Sequence, residues 1–88
     1  MSRGVLATFK IMPESLEVDL EALKEKIKIL ETIGNIKDFK EEPIAFGLKS
    51  LSVLTLIADE GGLTEKIENK LSELEGVQSV ENVGVTLI

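Results

Sequence analysis

The residue types that most often carry chemistry are scarce in this chain. It has no His and no Cys, which removes the near-neutral proton shuttle, the thiolate nucleophile and the commonest zinc ligands. No serine stands in a recognisable nucleophile context, so acid–base work would fall to two carboxylates brought together by the fold. Glu41 and Glu42 are neighbours on a strand-like stretch and so point to opposite faces, which argues against a shared proton. Asp59-Glu60-Gly61-Gly62 has the glycines of a phosphate-cradling loop, but two carboxylates beside them repel a phosphate, and the stretch reads as a turn into a helix. No EF-hand spacing supports a calcium site. The expectation is a protein with no catalytic residue, no metal and no cofactor: not an enzyme.

What the sequence does offer is a shaped surface. Glu41-Glu42-Pro43-Ile44-Ala45-Phe46-Gly47-Leu48 sets a proline, an aromatic and a glycine between two strand-like stretches. Pro43 fixes its own φ and pushes Glu42 out of the helical region, and Gly47 permits a positive φ, so the connection is stiff. The chain has three Phe and no Trp or Tyr. Phe9 and Phe39 fall in strand patterns, which leaves Phe46 as the aromatic to stand out from the surface. Its ring either folds back as a lid on the core or serves as an anchor for another protein's pocket, since a rigid aromatic loses little entropy on binding.

The elements that must hold this turn follow from periodicity. Gly4 to Met12 alternates, with Val5, Ala7, Phe9 and Ile11 on one face and Leu6, Thr8, Lys10 and Met12 on the other, which predicts a strand with one fully buried face, ended by Pro13. Asp19 is an N-cap for a helix carrying Leu20, Leu23, Ile27 and Leu30, and Gly34 is its expected terminator. A second strand opens at Asn35, with Ile36, Asp38 and Lys40 on one alternation and Lys37, Phe39 and Glu41 on the other; its many charges suit an edge. Leu48 to Ala58 is nearly continuous in apolar residues and predicts a central strand. Thr64 is an expected cap for a helix to Glu75 with Leu63, Ile67, Leu71 and Leu74 on one face, with Gly76 following. In the last strand, Val77 to Ile88, the three-residue step from Val80 to Val83 implies a bulge.

Strand, helix, strand, strand, helix, strand with right-handed crossovers gives an α+β fold. It is a ferredoxin-like two-layer sandwich, βαββαβ, whose four-stranded antiparallel sheet has the order 4-1-3-2 and carries both helices on one face. The 88 residues suit one domain, 1–88, built on a single aliphatic core. The first and second strands then run toward the Phe46 turn and the fourth runs away from it. The turn and the C-terminus therefore lie roughly 20 to 30 Å apart at about 3.3 Å per residue. Glu14, Glu17, Glu41, Glu42, Glu73 and Glu75 collect near Phe46, a negative collar suited to a basic partner pocket. A formal charge of −6 opposes direct nucleic-acid contact and anionic membrane. The apolar runs are too short to span a bilayer and no signal region is apparent, so a cytoplasmic protein is expected. The sequence leaves the oligomeric state open, with a monomer favoured.

The run Pro43-Ile44-Ala45-Phe46-Gly47-Leu48-Lys49 resembles the Pro-Ile-(Gly/Ala)-Phe-Gly-(Ile/Leu) signature of the nucleotide-exchange domain in the translation elongation factor 1-beta family. The opening Val5-Leu6-Ala7-Thr8-Phe9-Lys10-Ile11-Met12-Pro13-Glu14-Ser15, followed by Val18-Asp19-Leu20-Glu21-Ala22-Leu23, is similar to the short archaeal form. The resemblance implies a guanine-nucleotide exchange factor for elongation factor 1-alpha, the GTPase that carries aminoacyl-tRNA. It implies that Phe46, with Pro43, Ile44 and Gly47 shaping its turn, engages a hydrophobic pocket on the second domain of the GTPase. The far end then wedges beside the switch regions and magnesium site of the first domain. Eukaryotic relatives carry a next-to-last lysine there; this chain has Leu87 followed by Ile88. Either an apolar wedge acts by displacement, or another cation takes the role, Arg3 being the candidate because the first strand starts beside the end of the fourth. The rival class is a small-molecule-binding regulatory domain on the same fold, which architecture alone does not exclude.

Overall fold

The computed structural model describes residues 4–30, 33–58 and 61–87. Its centre is β1 (Gly4–Pro13), where every second residue from Val5 to Pro13 is buried and those between are half-buried. β1 is hydrogen-bonded on both sides, antiparallel to β3 (Lys49–Ala58) and to β4 (Val77–Leu87), and β2 (Asn35–Pro43) closes the other edge along β3. The order β2-β3-β1-β4 is the expected 4-1-3-2 read from the opposite edge. The solvent-poor alternation of β3, with Leu51, Val53, Thr55 and Ile57 buried, explains why its sequence reads as a central strand.

The two helices, α1 (Leu20–Lys28) and α2 (Leu63–Ser72), lie on one face. Leu23 and Ile27 of α1 and Ile67 and Leu71 of α2 share a single core with Val5, Ala7, Phe9, Ile11, Leu51, Val53 and Ile57, all on the same side of the pleat. Burial, not local helix chemistry, holds α1. Its Glu21–Lys24 and Glu25–Lys28 pairs at 3.1 and 3.4 Å contribute about 0.2 to 0.5 kcal/mol each, against about 1.5 to 3 kcal/mol for each fully buried Leu or Ile. Asp19 caps α1 as expected, its carboxylate accepting from the Glu21 and Ala22 amides at 3.0 and 3.4 Å.

Three local expectations are corrected. α1 ends at Lys28 with Ile29 as its cap, well before Gly34, although Leu30 still packs on the core. α2 begins after Gly62, which sits at the cap position with a φ of 80° and no side-chain cap bond; Thr64 lies inside the first turn and caps nothing, and the helix stops at Ser72 instead of Glu75. In β2 a register shift between Ile36 and Asp38 absorbs Lys37, so Ile36 and Phe39 come to the same face and both pack on the core. Strict alternation had put them on opposite faces. The bulge expected in β4 is present: the register passes from Thr8↔Gly84 to Phe9↔Asn82, which leaves Val83 as the extra residue.

Gly34 has a different task from ending a helix. Its φ is +80°, and a Cβ there would stand 2.6 Å from the Leu56 carbonyl oxygen and 2.7 Å from Ile57 Cγ2. The chain entering β2 therefore presses against β3 with no room for a side chain. Beside it the buried Thr55 hydroxyl donates to the Ile33 carbonyl, satisfying both groups inside the core. Gly34→Ala is expected to lower the unfolding free energy by about 2 to 4 kcal/mol, from left-handed backbone strain together with overpacking. Urea denaturation checks this, and a loss below about 0.5 kcal/mol would show that β2 and β3 do not approach so closely.

Candidate partner-binding site

The β2–β3 connection is a tight hairpin. Pro43 faces Lys49 in the ladder, the Ile44 amide donates to the Leu48 carbonyl at 2.8 Å and the Leu48 amide donates to the Ala45 carbonyl at 2.9 Å. The two residues at its tip, Phe46 and Gly47, have φ of 52° and 82°. Positive φ at both central positions is the mark of the hairpin turn whose twist matches the flanking strands, a turn that Asn-Gly fills without strain. Here phenylalanine stands where Asn is favoured. A bulky residue in this region of backbone space is a true outlier, costing on the order of 1 to 3 kcal/mol. Its ring recovers nothing from the core, because Phe46 is 95% exposed. Pro43 is exposed at the base of the turn and Ile44 is also exposed.

Neighbouring elements brace this tip. Lys24 of α1 reaches Glu41 of β2 at 2.9 Å as well as Glu21 at 3.1 Å. The ammonium groups of Lys24 and Lys28 lie 6.0 and 5.9 Å from the centre of the Phe39 ring, so their alkyl stems roof the edge strand. The hydrogen bond from Lys24 holds the Glu41 carboxyl below its ordinary pKa. Those to Glu41 and Glu21 hold the Lys24 ammonium above its own. On the other side, the Glu14 amide donates to the Gly76 carbonyl at 2.9 Å, which ties the β1–α1 loop to the connection between α2 and β4. Glu14, Glu17 and Glu75 line one groove at this end, and Glu73 caps α2 there. With Glu41 and Glu42 at the end of β2, the six carboxylates lie at the same end of the sheet as the turn, Glu73 and Glu75 on the side of β4.

At the opposite end of the sheet Leu87 faces Val5 and Val85 faces Ala7, yet Leu87 and Val85 are 60% and 53% exposed. β4 is the open edge of the sheet here. Arg3 and Ile88, the other residues expected at this end, lie outside the described residues. Phe46 and Leu87 are thus not brought together. They occupy the two ends of β-strands of about ten residues, about 30 Å apart at 3.3 Å per residue, in a domain 45 Å long. Sequence reasoning missed Leu16, which is 64% exposed on the β1–α1 loop beside Gly47. Its signal was a lone leucine inside a polar connection. It also missed the left-handed backbone of Phe46, which composition does not announce.

Among the described residues there is no group of three or more Asp or Glu side chains placed to hold a metal ion. Nor is any helix among the described residues long and apolar enough to cross a membrane. The domain is thus a ferredoxin-like sandwich that holds an unburied aromatic on left-handed backbone at one end of its sheet. Residues 6–88 match the model of the EF-1 guanine nucleotide exchange domain. The chain is 45% identical over 84 residues to elongation factor 1-beta of Methanoregula boonei, covering 96% of each chain. It is 49% identical over 78 residues to that of Methanothermobacter thermautotrophicus, covering 88% of each. The relative in Methanocaldococcus jannaschii is 48% identical over 85 residues, 94% of this chain and 96% of that one. The ACT domain from the GTP pyrophosphokinase of Chlorobium tepidum superposes with a TM-score of 0.63 at 18% identity, over 89% of this chain and 96% of that one; it shares the fold. The chain belongs to the EF-1 guanine nucleotide exchange domain family.

The Lys24–Glu41 strut gives a pH-dependent test of how the tip is braced. Because the folded-state pKa of Glu41 is lowered, its contribution is present above the unfolded carboxylate value and disappears as pH falls through the folded one. Glu41→Gln is expected to lower the urea midpoint at neutral pH, with the difference from the parent chain vanishing once the pH has fallen below the folded carboxyl's own value. A difference that persists in acid would assign the loss to packing and not to the ion pair.

Proposed function

We propose that this chain releases GDP from elongation factor 1-alpha by holding the GTPase at two places, the Phe46 turn and the end of β4. Exchange itself makes and breaks no covalent bond, so the chain is not an enzyme in the chemical sense. Its action is linkage: a factor that binds the nucleotide-free GTPase more tightly than the GDP-bound form weakens GDP binding by the same ratio. The observation that carries the reading is the strained, fully displayed ring of Phe46, a conformation that makes sense for contact with another molecule and not for packing within this one. Pro43, Ile44 and Gly47 shape the turn that presents it.

At the far end Leu87, with Ile88 beyond it, acts as an apolar wedge beside the magnesium site of the GTPase, displacing the ion by volume. The other reading is that a cation takes this role, with Arg3 as the candidate, and unchanged GDP release with Arg3→Ala removes it from the mechanism. The chain works as one domain, 1–88, and as a monomer in the cytoplasm, without direct contact to nucleic acid, which its net charge of −6 disfavours. A small-molecule regulatory role is not favoured, because the family match covers residues 6–88 while the likeness to the ACT domain is one of fold.

Following release of a fluorescent GDP analogue from loaded elongation factor 1-alpha tests the proposal. Phe46→Ala is expected to weaken the interaction by on the order of 2 kcal/mol, about thirtyfold. Phe46→Gly should do the same while leaving the unfolding free energy unchanged or raised by up to about 1 kcal/mol, since glycine relieves the left-handed strain. A Phe46→Ala chain that loses about 3 to 5 kcal/mol of stability would instead place the ring in the core. An unaltered exchange titration in both variants would end the anchor reading.

A further inference from the structure

We infer that Leu16 is a second apolar anchor for the GTPase, so that the partner surface receives two side chains from two loops with one of its own seated in the groove between them. This rests on the exchange reading above. A leucine 64% exposed in a loop of polar residues gains nothing from its own fold, yet it is held in place. The Val18 amide donates to the Ser15 carbonyl at 3.3 Å and the Glu17 amide to the Ser15 hydroxyl at 3.2 Å, closing a turn with Leu16 at its corner. The Glu14 amide pins the start of that turn to Gly76. Leu16 also lies against the Phe46 hairpin, because a Cβ on Gly47 would sit 3.2 Å from Leu16 Cδ2. The bare backbone of Gly47 therefore serves the turn and at the same time lets the two loops meet.

Between them runs an open groove with Leu16, Val18, Leu20 and Leu48 among its apolar lining and a mixed polar side of Asp19, Glu21, Glu41 and Lys49. Such a groove fits a partner segment that lays an aliphatic side chain on the leucines, since Glu21 and Glu41 already hold Lys24 and Asp19 caps α1. Because both loops are already ordered, little conformational entropy is lost when the partner docks. Leu16 then extends the contact of Phe46 into one continuous apolar ridge, and its contribution is to affinity and to the direction from which the GTPase is approached.

The test is an exchange titration against elongation factor 1-alpha loaded with a fluorescent GDP analogue, reading the half-saturating concentration and the maximal rate separately. Leu16→Ala and Leu16→Ser are each expected to raise the half-saturating concentration about fivefold or more with the maximal rate unchanged, while Leu16→Met retains parental values. The unfolding midpoint should not move, since the side chain is mostly in solvent. The combined Leu16→Ala, Phe46→Ala chain should lose less than the product of the two single effects, as neighbouring contacts are coupled. If Leu16→Ala stays within about twofold of the parent while Phe46→Ala is impaired, Leu16 is no anchor and the exchange reading survives. If neither variant moves the titration, the whole tip is displaced from the interface and both readings fall. A lowered unfolding midpoint in Leu16→Ala with restored exchange at lower temperature would make Leu16 a structural residue and overturn the proposal.

Discussion

The structure depends on the dry layer between one face of β1 and the two helices. β1, like β3, is bonded to a strand on each side, and its buried residues Val5, Ala7, Phe9 and Ile11 meet Ile27 of α1 and Ile67 of α2 in a single core. Because side chains alternate with a period of two, a slip of one residue in β1 would turn that whole set to solvent. The register of both neighbours is fixed with it, and with the register the positions of the two ends of the sheet. The Phe46 turn inherits its place from Glu41↔Leu51 and Ile11↔Leu51, not from its own sequence.

That division of labour explains the strain at the tip. A left-handed phenylalanine persists only where its surroundings over-determine it, and here the hairpin is closed by its own hydrogen bonds, braced by the Lys24–Glu41 pair and joined to a strand that is fully bonded. Stability is concentrated in the largely aliphatic layer between sheet and helices. The loops that expose Phe46 and Leu16 contribute little to that layer. The two can therefore be altered separately, with Gly34 and Phe46 as examples of each kind.

The architecture was legible in the sequence because the signals were redundant. β1 carries an unbroken apolar residue at every second position from Val5 to Ile11, Asp19 precedes an apolar stripe at helical spacing, and the step from Val80 to Val83 breaks a period of two in a way that only an extra residue satisfies. What stayed hidden depends on contacts between distant segments. The bulge at Lys37 leaves no mark of its own in a strand full of charge, so Ile36 and Phe39 looked like residues of opposite faces. Thr64 has the chemistry of a cap, but the approach of the chain from Gly62 places it within the helix. Of the candidate site, the identity of Phe46 and its setting between Pro43 and Gly47 were visible in the sequence. Its sign of φ was not, nor was the proximity of Leu16, which is set by how the β1–α1 loop lies across the end of β2 and β3.

The length of the sheet has a mechanical meaning. A body fastened at the Phe46 turn can swing about that fulcrum, and its unfastened extremity then travels in proportion to the arm. Over about 30 Å of strand, a tilt of about 5° displaces the tip of β4 by about 2.6 Å, comparable to the separation between a magnesium ion and its ligands. A stiff arm thus turns a small angular change at the hinge into a displacement large enough to open a coordination shell, and a softer sheet would dissipate the same rotation along its own length.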